Sequence, residues 1–283
     1  MKILDYFKSS LARKKARRVT QVYSPKIETF QLDGIGAIQF ANWDNPLALP
    51  YHLNKPMVDF FKQFIKEGDL AIDIGANIGD TTVPIALSVG KSGLTLGFDP
   101  NPYVFRILKA NANLNKDKTN LHAINCAIST AEDEFYFISS EASFSNGAIS
   151  PTIESHHGKF VHTEKIKGVN LLKFLQENYE DWIPKLAFIK VDTEGYDKEI
   201  LKSISDLVAK QKPVIIAESF GKSSDEAKME LYDVIAKHGY DIYYFADFDI
   251  NAKVEKLRDR SDMTKWKKTI NVYAMPKKQG QTY

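Results

Sequence analysis

Residues 73–82 read DIGANIGDTT, and Gly75 and Gly79 stand just after the apolar run Leu70-Ala71-Ile72. Glycines in a loop that follows a strand let backbone approach a nucleotide-like ligand closely, a role only glycine fills at low cost. The dinucleotide pattern G-x-G-x-x-G is incomplete, because the tight first pair is missing. Asp73 also precedes the first glycine. A carboxylate there repels a pyrophosphate and suits a ligand with a cationic amine. The amino-acid end of S-adenosylmethionine (SAM) has such an amine and carries no phosphate.

Twenty residues after Gly79, Asp99 ends the next strand in the run FDPNP. An acid at that tip can take both ribose hydroxyls, in NAD and SAM alike. The other reading is a turn-forming Asp before Pro100; the glycine loop upstream favours the ribose. The third strand ends in Asn125-Cys126-Ala127-Ile128-Ser129. An adenine could lie over this tip, against backbone and the small Ala127, although an ordinary strand end reads the same way.

Residues 188–201, FIKVDTEGYDKEIL, crowd Lys190, Asp192, Glu194, Asp197 and Lys198 where a strand meets a helix. In an open parallel sheet, ligands bind beyond the C-terminal strand ends. Asp192 falls at that edge, and Glu218 ends the following strand candidate. If the two strands are neighbours, both acids face one crevice. Lys190 and Asp192 share a face of the strand, and a buried lysine requires a carboxylate partner. Asp192 is the first candidate for a base or a metal ligand, and Glu218 could join it around Mg²⁺, which prefers oxygen ligands. Glu194 is either at the reaction side or an acid favourable at a helix entry. His156 and His157 are alternative bases or plain surface residues.

These groups need a scaffold, and the pattern supplies one. Short apolar runs at 70–74, 95–98, 121–125, 187–191 and 214–217 alternate with helical stretches at 81–89, 103–113, 197–210 and 225–238. That rhythm implies an α/β fold with a mostly parallel sheet covered on both faces. Runs at 242–245 and 270–274 form a late strand pair that completes the sheet. Residues 134–138 read as an extra strand, and 140–162, rich in Ser, Gly and His, as a long loop. Upstream, residues 27–42 form a hairpin around Asp33-Gly34, and 54–66 form a helix that begins near Pro56. The predicted organisation is an N-terminal helix and hairpin appendage over 1–53 and a catalytic domain over 54–283.

The 283 residues are 43% hydrophobic, enough for a sizeable core, with a net charge of +2. A near-neutral chain without a basic groove argues against nucleic acid. Cys126 is the only cysteine, so no intrachain disulfide forms. No apolar run reaches the ~20 residues that cross a bilayer, and no signal-peptide core is visible. The expectation is a soluble, cytoplasmic protein. Lys2, Lys8, Arg13, Lys14, Lys15, Arg17 and Arg18 interleave with Ile3, Leu4, Tyr6, Phe7 and Leu11. Such a helix either docks its apolar face on the domain, the favoured expectation, or rests weakly on an anionic membrane surface.

Taken together, IDIGANIGDTT (72–82), GFDPNP (97–102), NCAIS (125–129), FIKVDTEGYDKEIL (188–201) and PVIIAES (213–219) resemble the FkbM-type SAM-dependent methyltransferases. The resemblance spans roughly residues 69–275. It implies the class I methyltransferase fold, a Rossmann-like sheet with a late antiparallel strand. It also implies methylation of oxygen, often on sugars or polyketide-type metabolites. Carried over by motif, Asp73, Gly75, Asn77 and Gly79 line the methionine end of SAM, and Asp99 binds the ribose. Pro100, Asn101 and Ala127 complete the candidate cofactor residues. Asp192 and Glu194 lie at the reaction side, so the catalytic candidates are Asp192, Glu194, Glu218 and Lys190. Two positions depart from the family pattern. Asp99 stands where Glu is commoner, and Val169-Asn170 replaces a Leu-Asp pair; Asn still caps a helix well.

The expected reaction is O-methylation of a sugar, glycan or related small molecule, with a homo-oligomer as one expected state. Two alternatives compete. An NAD-dependent nucleotide-sugar oxidoreductase needs a Y-x-x-x-K pair; Tyr51 and Lys55 have the spacing but precede the glycine loop. A catalytically inactive SAM-binding module is the other.

Overall fold

In the computed structural model, residues 3–130, 132–154 and 158–277 are described. The chain opens with α1 (Ile3–Ala16) and a hairpin of β1 (Pro25–Leu32) and β2 (Gly36–Trp43). Helix α2 (Lys55–Lys62) follows, with Pro56 in its first turn and the Asn54 side chain accepting from the Met57 N–H. Then come β3 (Leu70–Ile74), α3 (Thr82–Val89), β4 (Leu94–Phe98), α4 (Pro102–Asn113) and β5 (Leu121–Ile124). Five short strands come next: β6 (Ala127–Ile128), β7 (Asp133–Ser139), β8 (Ala148–Ser150), β9 (Phe160–Val161) and β10 (Ile166–Val169). The chain continues through α5 (Leu171–Asn178), β11 (Leu186–Val191), α6 (Asp197–Ser203), α7 (Ser205–Gln211) and β12 (Val214–Ser219). It ends with α8 (Asp225–Ala236), β13 (Tyr240–Phe245), β14 (Val254–Lys256) and β15 (Ile270–Pro276).

The main sheet runs β14-β13-β15-β12-β11-β3-β4-β5. Strands β12, β11, β3, β4 and β5 pair in parallel, and β15 is antiparallel to both β12 and β13. Without the edge strand β14, this is the class I methyltransferase order. The central β3 and β4 are buried at every residue, as apolar strands covered on both faces must be. Helices α5 to α8 pack one face through Leu171, Ile200, Val208 and Leu231. Helices α2 and α3 pack the other through Phe60, Phe61, Ile85 and Val89. The chain order reverses at β3, which pairs β4 on one side and β11 on the other. A ligand crevice opens at such a switch point.

The hairpin shares an apolar cluster with the main fold: Ile38, Phe40 and Trp43 pack with Val83, Ile107 and Leu121. Three expectations change. The described part of 140–162 is not loop throughout, because β8 and β9 both pair with β7, and β7 pairs with β10, in a second sheet. Strands of two or three residues are too short to show alternation. The helix expected over 197–210 is two helices, broken at Ile204. There the Ser203 hydroxyl donates to the Ile200 carbonyl at 2.7 Å and competes with the backbone ladder. Finally, Phe7 and Leu11 on α1 are 61% and 66% exposed, so these two side chains are not buried against the domain.

Candidate functional site

A cavity of about 1110 Å³ runs along the C-terminal edge of the main sheet. Its floor is the loop after β3. Gly75 and Ala76 both donate their N–H to the Phe98 carbonyl at 3.0 Å, which fastens the loop to β4. Gly75 has φ +80, and a Cβ there would lie 1.9 Å from the Asp192 carbonyl oxygen. The Asp192 N–H in turn donates to the Ile74 carbonyl at 3.0 Å. Loop and β11 tip are thus interlocked at backbone level, and only glycine fits the contact. Asn77 adopts φ 48, in the left-handed region that Asn tolerates better than other residues with a side chain.

Asp99 lines the cavity with Pro100 and Asn101. Its two carboxylate oxygens accept the Asn77 and Asn101 N–H groups, each at 2.8 Å. Burial pushes its carboxyl up to about 7, against those two hydrogen bonds. Each oxygen keeps a second lone pair, and further donors from a ligand would favour the ionised form. Asn101 also caps α4, accepting from Tyr103 at 3.0 Å, and donates to the Phe144 carbonyl at 2.8 Å. That bond ties the β4 tip to the second sheet, whose Phe137, Asn146 and Ile149 wall the cavity near Ala127.

Asp73 is placed differently from the sequence expectation. It is 0% exposed and does not line the cavity. Its carboxylate accepts from the Thr81 and Thr82 hydroxyls at 2.8 and 2.7 Å and pairs with Lys190 at 3.2 Å. These donors already satisfy it, so its role is to hold the loop and Lys190 from behind. Gly79 has φ +99, and a Cβ there would sit 3.2 Å from Leu108, so it too serves packing.

Lys190 is 2% exposed and bridges Asp73 and Asp192, the latter at 3.1 Å. Burial alone would lower its pKa; Asp192, Asp73 and Asp80 outweigh burial and hold the ammonium above the ordinary lysine value. A lysine held charged cannot accept a proton, but it fixes the Asp192 carboxylate. Asp192 and Glu194 both line the cavity. Glu194 has φ 53 and Gly195 φ 106, so the β11–α6 turn is held in left-handed backbone. Asp197 organises that turn: one oxygen accepts from Thr193 and Gly195, the other from the Glu218 N–H at 3.1 Å.

Glu218 does not share the crevice with Asp192. It borders a second, much smaller space with Asp197, Ser223 and Lys228. Burial, then Asp192, Asp197 and Glu194, push its carboxyl up to about 8. Among the described residues no group of three or more His, Cys, Asp or Glu gathers to hold a metal. The Asp192–Glu218 pairing for Mg²⁺ therefore gains no support. His156 and His157 lie outside the described residues.

Several lining residues escaped the sequence reading. Asp80 stands in the very loop that drew attention, but the first acid of that loop took the role. Lys222 comes from a connection without periodicity. Of the three stretches the sequence offers for an acceptor pocket, 140–162 and 247–268 line the cavity through Asn146, Ile149, Asp247 and Phe248, and the hairpin contributes no lining residue; Met57 on α2 does. The Tyr51–Lys55 pair does not assemble as a dehydrogenase dyad. The Tyr51 hydroxyl bonds Met57 Sδ at 2.8 Å, and Lys55 pairs with Asp59 one turn along α2.

Among solved structures, the chain is similar to precorrin-6Y C5,15-methyltransferase from Geobacter metallireducens GS-15. That match has 11% identity over 78% of this chain and 86% of that one, with a TM-score of 0.40. It is also similar to the FkbM methyltransferase of Methylobacillus flagellatus KT, at 14% identity over 78% of this chain and 48% of that one, TM-score 0.45. A third is TYW2 from M. jannaschii, solved in complex with AdoMet, at 13% identity over 92% and 90%, TM-score 0.38. Comparison with curated proteins gives no match. The pattern of the methyltransferase FkbM domain matches residues 73–242, well over half of the 283. With that domain running from Asp73 of the glycine loop into β13, the chain belongs to the FkbM methyltransferase family.

Proposed function

We propose that the protein transfers the methyl group of SAM to a hydroxyl of a sugar, glycan or related small metabolite. The observation that carries this reading is the interlocked unit of glycine loop, Lys190 and Asp192 at the switch point of the sheet. Residues for SAM are at hand: Asp99 with lone pairs for the ribose, and Ala127 with the apolar Phe137 and Ile149 for the adenine. SAM would supply a methyl group on a positively charged sulfur, already poised for displacement. The volume exceeds one cofactor-sized ligand, since single ligand pockets run to about 1,000 Å³. Room for an acceptor lies toward Met57, Lys222 and Phe248.

The chain's own residues then orient the acceptor, exclude water and take a proton. Asp192 is the base. Lys190 pins its carboxylate while Asp73 takes the other side of the ammonium. A general base contributes about 10²–10⁴ in rate. The Asp192→Asn variant should therefore lose turnover by about that factor, while calorimetry still detects SAM binding. Unchanged turnover would remove Asp192 from the role. The Tyr51 and Lys55 geometry leaves the NAD alternative without its catalytic pair. We also propose that α1 rests on anionic membrane surfaces, because its exposed Phe7 and Leu11 stand among basic residues.

A further inference from the structure

The glycine loop carries two acids, and only one of them is satisfied. Asp73 is fully buried and holds Thr81, Thr82 and Lys190. Asp80, seven residues on, lines the cavity. Among the described residues, no other residue is hydrogen-bonded to its carboxylate. Lys190, the cation whose charge acts on it, is already bridged between Asp73 and Asp192 at 3.2 and 3.1 Å. Burial pushes the Asp80 carboxyl up to about 6; Lys190 pulls it down, and Asp73 and Asp192 add to the rise. A half-buried carboxylate with no counter-ion of its own is costly to ionise. A cation delivered into the cavity removes that cost.

We infer that Asp80 is the counter-ion for the α-ammonium of the bound cofactor, the role the sequence pattern suggests for Asp73. This rests on the reading of SAM as that cofactor. A primary ammonium offers three donors and a full charge, and a carboxylate facing it makes a strong, charge-assisted hydrogen bond. The cofactor has two cationic centres, and methyl transfer abolishes only the sulfonium. S-adenosylhomocysteine, the product, keeps the ammonium alone, so it isolates the contact. 5′-Methylthioadenosine keeps the nucleoside and lacks the amino-acid end.

The test is calorimetric titration of both compounds into the wild type, Asp80→Asn and Asp80→Glu. In Asp80→Asn the affinity for S-adenosylhomocysteine should fall about 10–100-fold, the range of a charged hydrogen bond. Binding of 5′-methylthioadenosine should stay at wild-type strength, which also shows that the site is folded. Asp80→Glu, which keeps the charge, should recover part of the loss. Unchanged S-adenosylhomocysteine binding in Asp80→Asn overturns the assignment, and so does an equal loss for both compounds. A wild type that binds neither compound overturns the SAM reading itself and this inference with it.

Discussion

Gly75 is where backbone and chemistry meet. A Cβ there would lie 1.9 Å from the Asp192 carbonyl oxygen, so the loop and the β11 tip cannot move independently. Gly75→Ala must shift one of them. Left-handed strain alone costs about 1–3 kcal/mol, and the clash with rigid backbone adds to it. Urea denaturation should show at least that loss, and S-adenosylhomocysteine binding should weaken beyond detection. A variant that keeps both would mean that the loop and β11 are less tightly coupled than their packing implies.

Glu218 carries a different consequence at the same scale. Its carboxyl is raised to about 8 by burial and by the acids Asp192, Asp197 and Glu194. The folded chain thus holds a proton there that the unfolded chain has released. The contribution to stability is complete below the ordinary glutamate range and fades as pH rises through about 8. Glu218→Gln has no proton to lose. Its melting temperature should gain on the wild type as the buffer moves from about pH 6 to about pH 9. Parallel melting curves across that range would contradict the shift.

Among the elements, α1 stands apart. Of its side chains from Phe7 onward, Ala16 alone is buried. Just after the helix, Arg17 pairs with Glu141 at 3.3 Å and its carbonyl accepts the Ala142 N–H at the same distance. An exposed ion pair contributes only about 0–1 kcal/mol, so this pair adds little to the hold on α1. Replacing both Phe7 and Leu11 by Ser should abolish cosedimentation with phosphatidylserine vesicles. Equal sedimentation of the double variant and the wild type would remove the membrane role. The second sheet is held more firmly. Phe144 stacks on Tyr103 with ring centroids 4.5 Å apart, and its backbone, at φ 54, is anchored by Asn101. A bulky residue kept in that conformation is fixed by its surroundings.

For the molecule as a whole, the sheet was legible because its strands are short, apolar and separated by helices. The run LAIDI is read and found as β3 without adjustment. Lys190 with Asp192 was equally legible, since a two-residue spacing on a strand dictates a shared face. Two things were not. Pattern alone cannot tell which of two acids on one loop will be sealed in, and the hydroxyls of Thr81 and Thr82 decide that for Asp73. Nor can it show that strands of two or three residues in 140–162 will pair. The cavity wall around Asp247 and Phe248 follows no period, so its individual residues emerge only from tertiary packing.

The second sheet leaves the main chain path at Ala127 and returns at Val169. There β6 and β10 lie side by side in parallel, with Gly168 opposite Ala127 and Val169 opposite Ile128. Its exit and re-entry are therefore one strand spacing apart, about 4.8 Å. Everything between them is a closed excursion. A segment of different length or shape could be grafted between those two points without altering the register of any strand in the main sheet. The wall beside Ala127 would be exchanged while Asp73, Lys190 and Asp192 stayed where they are. Chimeras that swap this segment between members of the family should fold and differ in what they bind.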